Sequence, residues 1–355
     1  MKVEVYSPTI RRKEMDAVLT AMVEEKIGPG ERNRLLIQTA KEQMHFDYAL
    51  ALRSPAVALH MALKALNVKH GQTVVISALS PRYYLQVLED LHLTPLFCDV
   101  TYDFPCMSRD LIENTIAKSQ EHPDICAVVL HHTLGYLPDA SAITELGFPV
   151  IEDISQSYGS RLKTKSAEKE KNEKEEAQVK IDGVFCILGL EERDMLTSGG
   201  GALLIAMNRK DGSLLRGFAG IAGEYCLPDI NAALAVVQFK EILRNIERRR
   251  DIAQVYAQAS LRTRHKRFIP LVENEYNNYS FSLILETGLK DVIAYAKKKE
   301  IEIENAFENT VAGAGASDNC PVSNSLVLRT VFFPLYPRLR SQDVERVSRL
   351  IMTLP

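Results

Sequence analysis

Short runs of purely apolar residues recur along this chain at the spacing of strands separated by helices. They include Thr73-Val74-Val75-Ile76, Pro95-Leu96-Phe97-Cys98, Cys126-Ala127-Val128-Val129-Leu130, Phe148-Pro149-Val150-Ile151, Val184-Phe185-Cys186-Ile187-Leu188 and Ala202-Leu203-Leu204-Ile205. Strands that are apolar at every position must be covered on both faces, which argues for a mainly parallel sheet between helical layers. The stretches between them supply the helices. Ala56, Leu59, Leu63 and Leu66 recur at spacings of three and four, and residues 9–23 place Met15, Val18, Leu19 and Met22 on one apolar face. A long helix is predicted from Ile230 to about 260, then a strand at 279–285, a helix at 289–299, a strand at 326–333 and a last helix N-capped by Ser341. The chain of 355 residues exceeds the usual single-core size, so two domains are expected: a large one over 1–240 and a small α+β one over 241–355.

Composition removes several function classes. A formal net charge of −3 gives no general attraction to nucleic acid or to anionic membranes. Arg248-Arg249-Arg250 reads as a solvated face of the long helix and not as a nucleic-acid patch. No run of 18 apolar residues occurs, and Met1-Lys2-Val3-Glu4-Val5-Tyr6 lacks the core of a signal peptide. Six cysteines lie scattered without a C-x-x-C pair, which argues against a disulfide frame or a zinc site and for a reducing, cytoplasmic setting. The segment 163–180 mixes Lys and Glu without a large apolar residue before Val179, so it is expected to be solvated.

Polarity changes most sharply at Val150-Ile151-Glu152-Asp153-Ile154-Ser155-Gln156-Ser157-Tyr158-Gly159, where a buried strand ends in two carboxylates, an amide and a glycine. In open α/β sheets ligands sit just past the carboxyl ends of parallel strands. The stretch resembles V-I-E-D-x-A-Q-x-x-G of the DegT–DnrJ–StrS family of pyridoxal-phosphate (PLP) sugar aminotransferases. Further matches extend the resemblance over nearly the whole chain: Gly71 to Ile76, Pro95 to Val100, His132-Thr133-Leu134-Gly135, Asn231 to Phe239, Arg249 to Tyr256 and Phe333 to Leu339. The resemblance implies the fold-type-I PLP-transferase fold, an α/β domain on a mainly parallel seven-stranded sheet plus a small C-terminal domain, and a homodimer. It also implies that Asp153 pairs with the cofactor's ring nitrogen, that Gln156 borders the ring and that Ser54 lies in the phosphate cup.

The chemical motifs depart from the family's. Counting back from Gly199-Gly200-Gly201 puts Arg193 where the family has the lysine that forms the Schiff base. Arginine stays protonated and is neither an imine-forming nucleophile nor a general base. The phosphate-holding S-G-T-x-A-L reads Ser54-Pro55-Ala56-Val57-Ala58-Leu59, and Pro55 has no N–H. Pro81 falls at the ring-stacking position, Leu188 at a phosphate serine, and Glu224-Tyr225-Cys226 at the dimer partner's N-x-R. Two readings follow. The first is a family member that has lost PLP-dependent transamination, a regulatory or structural dimer with no catalytic residue and no cofactor, Asp153, Gln156 and Ser54 being vestiges. The alternative is a PLP- or PMP-dependent nucleotide-sugar aminotransferase or dehydratase of polysaccharide biosynthesis. A heterodimer with an active paralogue is a further expectation about partners. Cys226 and His132 are read as an unreactive thiol and a structural histidine, and the three glycines feed a strand, which excludes a Walker loop.

Overall fold

The computed structural model describes residues 2–119, 123–162, 180–270, 274–317 and 319–355, so the charged segment lies outside it except for Lys180. In chain order the elements are α1 (Arg12–Val23), α2 (Glu31–Met44), β1 (Tyr48–Leu52), α3 (Pro55–Ala65), β2 (Thr73–Ser77), α4 (Tyr83–Asp90), β3 (Thr94–Cys98), α5 (Arg109–Lys118), β4 (Ile125–His131), α6 (Ala140–Thr144), β5 (Val150–Asp153), β6 (Arg161–Leu162), β7 (Phe185–Gly189) and β8 (Ala202–Ala206). They continue with α7 (Arg209–Arg216), α8 (Asp229–Ser260), β9 (Asn274–Glu275), β10 (Phe281–Ile284), α9 (Leu289–Lys298), β11 (Glu304–Asn305), α10 (Pro321–Val327), β12 (Thr330–Phe333) and α11 (Ser341–Met352).

The seven-stranded sheet runs β1-β8-β7-β5-β4-β2-β3. Strands β3, β2, β4, β5 and β7 are mutually parallel, and β8 and β1 pair antiparallel at one edge. Alternate residues of each strand feed opposite layers, which is why the runs are apolar throughout. Ile76, Val129, Ile151 and Ile187 meet Leu59 and Leu63 of α3. On the other side Cys186, Leu188 and Leu203 meet Leu36 of α2 and Phe239 of α8, while Val128, Leu130 and Val150 meet Ile112 of α5. A three-stranded antiparallel sheet, β10-β12-β11, carries the second core with α9 and α11.

Several sequence expectations are corrected. The apolar face of α1 points to solvent, with Met15, Leu19 and Met22 more than half exposed, while Glu14 is buried. Glu14 is drawn inward by polar partners, its carboxylate accepting from the Arg11 amide and from the buried Gln238 amide. Arg249 is not solvated. It is buried and donates to the carbonyls of Tyr279 and Leu335, tying α8 to the smaller sheet's loops. Residues 326 and 327 close helix α10, and the strand begins only at Thr330. Ser341 is the first helical residue of α11, and Arg340 takes the cap position without a side-chain cap bond.

The two sheets are joined by a cap across the molecule. Asp99, just past β3, accepts from the Val322 and Ser323 amides and the Ser323 hydroxyl at the start of α10. Asp99→Ala leaves these donors unpaired, and helix-cap losses cost about 1–2 kcal/mol. An unfolding free energy lowered by that amount in urea titration is expected; an unchanged value would show the cap to be idle.

Candidate functional site

The carboxyl end of β5 lies at the centre of the sheet, and Asp153 is its last residue, in register with His131 at the end of β4. A cleft of about 380 Å³ opens there, inside the range of small-molecule sites. The ends of β4 and β5 supply His131, Asp153, Ser155 and Gln156, and the start of α4 supplies Pro81, Arg82 and Tyr83. The loop between β7 and β8 supplies Glu191, Arg193 and Asp194, and residues 304–310 close the opposite wall. That wall is pinned to the α4 side by a β-bridge between Pro81 and Thr310 and by the Arg82 amide donating to the Asn309 carbonyl.

Asp153 is almost fully buried and accepts from four donors. The Tyr84 hydroxyl donates to Oδ2 at 2.7 Å and the Tyr83 hydroxyl at 3.2 Å, while the Ser155 hydroxyl and amide donate to Oδ1 at 2.5 and 3.1 Å. His131 Nδ1 stands 3.6 Å from Oδ2. Burial alone would raise this carboxyl, but His131, Ser155 and Tyr84 outweigh it and hold it well below the usual carboxylate range. The result is a fixed negative charge on the cleft floor. Burial, and then the charge of Asp153, push the Tyr83 and Tyr84 phenols far up, so both remain donors. The sequence reading missed these two tyrosines; the signal was a pair of hydroxyl-bearing aromatics opening a helix at the same end of the sheet as Asp153.

The sequence-predicted site residues do not all meet here. Asp153, Gln156 and Arg193 line the cleft; Ser54 does not, though Pro55 does. The Ser54 hydroxyl accepts from the Val57 amide as the N-cap of α3. The Gln156 side-chain oxygen accepts from the Leu134 amide at 2.7 Å. That bond secures the His132-Thr133-Leu134-Gly135 turn. Gly135 sits at φ +83°, where a Cβ would come within 2.7 Å of Asn277 Oδ1. His132 bonds Ser157 and stands 3.2 Å from the buried Glu152, a structural place. Arg193 turns across the cleft mouth, ion-paired with Glu304 and lying 5.5 Å from the ring centre of Tyr6. Its neighbour Asp194 lines the cleft too, and sequence reasoning missed it.

The sequence profile of the DegT/DnrJ/EryC1/StrS aminotransferase family matches residues 8–171 and 198–352. The chain belongs to this family. GDP-perosamine synthase of Escherichia coli O157:H7 is 25% identical over 272 residues, covering 72% of this chain and 70% of that protein. Spr1654 of Streptococcus pneumoniae, solved in a PLP form and a PMP form, has the same fold with a TM-score of 0.84 at 17% identity, covering 99% of this chain and 97–98% of that one. A histidine-to-asparagine mutant of GDP-4-keto-6-deoxymannose-3-dehydratase (ColD) with bound GDP-perosamine superimposes with a TM-score of 0.82 at 13% identity, over 98% of this chain and 100% of that one. Family membership, with a relative of the same fold solved in both PLP and PMP forms, overturns the expectation that no cofactor is to be assigned.

The residues of the cleft fit such a group in one respect and limit it in another. The ionised Asp153 at the strand end complements a protonated ring nitrogen, and the volume is ample. No lysine lines the cleft among the described residues, so nothing on its walls can bond covalently to an aldehyde. Among the described residues no helix is long and apolar enough to cross a membrane.

Proposed function

We propose that this protein acts on a keto-sugar nucleotide with PLP or its amine form, PMP, held without a covalent bond to the chain, as an aminotransferase- or dehydratase-type member of its family in polysaccharide biosynthesis. The observation that supports this is the ionised Asp153 on the floor of a cleft whose described walls carry no lysine. The bound group supplies an electron sink for breaking bonds at the sugar carbon next to it. The chain's part is placement. Asp153 holds the ring nitrogen; Tyr83 and Tyr84 hold Asp153; Gln156 fixes the turn at Leu134; residues 304–310 screen the cleft from water.

A second reading, a non-catalytic regulatory or structural protein that has lost transamination, is favoured by the pairing of Arg193 with Glu304 and by the commitment of the Ser54 hydroxyl to its own helix. In both readings we place the chain in the cytoplasm, divide it into units at 1–240 and 241–355, and assign a homodimer, or a heterodimer with an active paralogue. The exposed Met15, Leu19 and Met22 support a covered surface on α1.

Spectral titration of the pure protein with PLP and with PMP tests the proposal. Saturable binding is expected, with the cofactor, reduced to its alcohol by borohydride, still removable by dialysis. Asp153→Asn should weaken it about 10- to 100-fold, the worth of a charge-assisted hydrogen bond. Absence of any saturable spectral change sinks the proposal and leaves the second reading.

A further inference from the structure

The loop between β7 and β8 presents a carboxylate to the cleft beside a guanidinium already paired with Glu304. Asp194 lines the cleft beside Asp153, Ser155 and Tyr83, while Arg193 is held by Glu304 and Tyr6. The local backbone is shaped around it. Its Oδ2 accepts from the Glu191 amide at 2.8 Å, and among the described residues no hydrogen bond reaches Oδ1. Residue 189 is a glycine, and a Cβ there would overlap Asp194 Oδ2 and come within 2.7 Å of Ser155 Oγ. A loop that only needed to connect two strands would not require this clearance. The last residue of β7 gives up its side chain so that the carboxyl can stand at the cleft wall.

We propose that Asp194 is the proton-transfer group of this cleft, taking a proton from the carbon next to the ketone of a bound keto-sugar nucleotide and returning it. The inference rests on the proposed function for the identity of the substrate, but not on the cofactor. In the forward step the C–H bond breaks and an O–H bond forms on Asp194. The C–H electron pair becomes the new C=C bond, and the carbonyl pair moves onto the ketone oxygen, whose charge faces the Arg82 guanidinium on the same cleft. Return of the proton restores the ketone, so nothing is oxidised or reduced.

The surroundings suit the task. Burial first, and then the charges of Asp153 and Glu191, push the Asp194 carboxyl up to about 7 against the lowering by the Glu191 amide. A base poised near the working pH is the effective one. The groups facing it are Asp153 from β5, Tyr83 from α4, Glu191 and Arg193 from its own loop, and Tyr279 and Tyr6 from across the cleft. The phenols of Tyr83, Tyr279 and Tyr6 are all raised, chiefly by burial, and stay protonated, while the Glu191 carboxyl is raised by burial as well.

Hydrogen–deuterium exchange in D2O, followed by NMR, tests this without added cofactor. The probe is GDP-4-keto-6-deoxymannose, the compound after which the dehydratase above is named. The full-length wild type is expected to speed exchange at the carbon beside the ketone above the protein-free rate, with the rate rising through about pH 7 and then levelling. Asp194→Asn should slow it about 100-fold or more, the usual contribution of a positioned base. Asp194→Glu, which keeps the carboxylate, should restore part of the rate. Exchange by the wild type no faster than the blank, or equal exchange by Asp194→Asn in protein whose melting shows it folded, overturns the proposal. PLP and PMP titration of the wild type reports separately on the cofactor reading, because the exchange assay contains neither.

Discussion

Asp153→Ala is expected to destabilise the folded chain by about 3–5 kcal/mol, the cost of removing one side of a buried charged network. The change strips the acceptor from the Tyr83, Tyr84 and Ser155 hydroxyls, and Tyr84 has no exposure through which water could replace it. The loss also has a definite dependence on pH. The folded-state value of Asp153 lies below that of an unfolded aspartate, about 3.9. Its contribution is therefore fully present above about pH 4 and fades as the pH falls further, towards its own depressed value. Urea unfolding of wild type and variant at pH 7 and again in acid checks both statements. A difference below about 1 kcal/mol at pH 7, or one that grows in acid, would show that the network is not what holds the strand end.

The opposite sign is expected at Asp194. Its folded-state value of about 7 lies above the unfolded one, so between about pH 4 and 7 the folded chain keeps a proton that the unfolded chain has released. Stability contributed at this position is present in acid and is lost as the pH rises through 7. Asp194→Asn keeps an acceptor for the Glu191 amide and abolishes the titration. The variant should be more stable than wild type by about 2–4 kcal/mol at pH 8, and the gain should vanish near pH 4. Equal stability of the two proteins at pH 8 would mean that the carboxyl is not the strained group described here. A gain in stability at the position where exchange activity is lost is the trade expected of a working side chain.

Much of the fold was legible because its causes are local. Strands buried on both faces must be apolar at every position, and the runs ending at Ile76, Cys98, Leu130 and Ile151 are. The floor of the cleft was legible for the same reason: only a strand end brings Asp153 out of an apolar run. Failures came where a partner distant in sequence decides. Nothing in residues 12–23 says that Glu14 will meet Gln238 and turn Met15, Leu19 and Met22 outward. Arg249 read as solvated because its acceptors, the carbonyls of Tyr279 and Leu335, are 30 and 86 residues away. Tyr83, Tyr84 and Asp194 were passed over because aromatic and acidic residues near helix starts and in loops are common, and only the closure of the sheet brings them to one carboxylate. Motif comparison directed attention to Arg193, but it could not say that the guanidinium would pair with Glu304 or that Asp194 beside it would share the cleft wall.

Helix α8 carries a mechanical consequence. It is a single element of 32 residues, about 48 Å long, touching α1 and α2 at the seven-stranded sheet and α11 at the smaller one. A continuous rod through both halves resists swinging, since hinges sit in loops and at the ends of elements. Room for a molecule in the cleft is therefore expected to come from local shifts of the wall at 304–310 against Pro81 and Arg82. The narrow seam between Pro81 and Thr310 is then the expected door of the cleft.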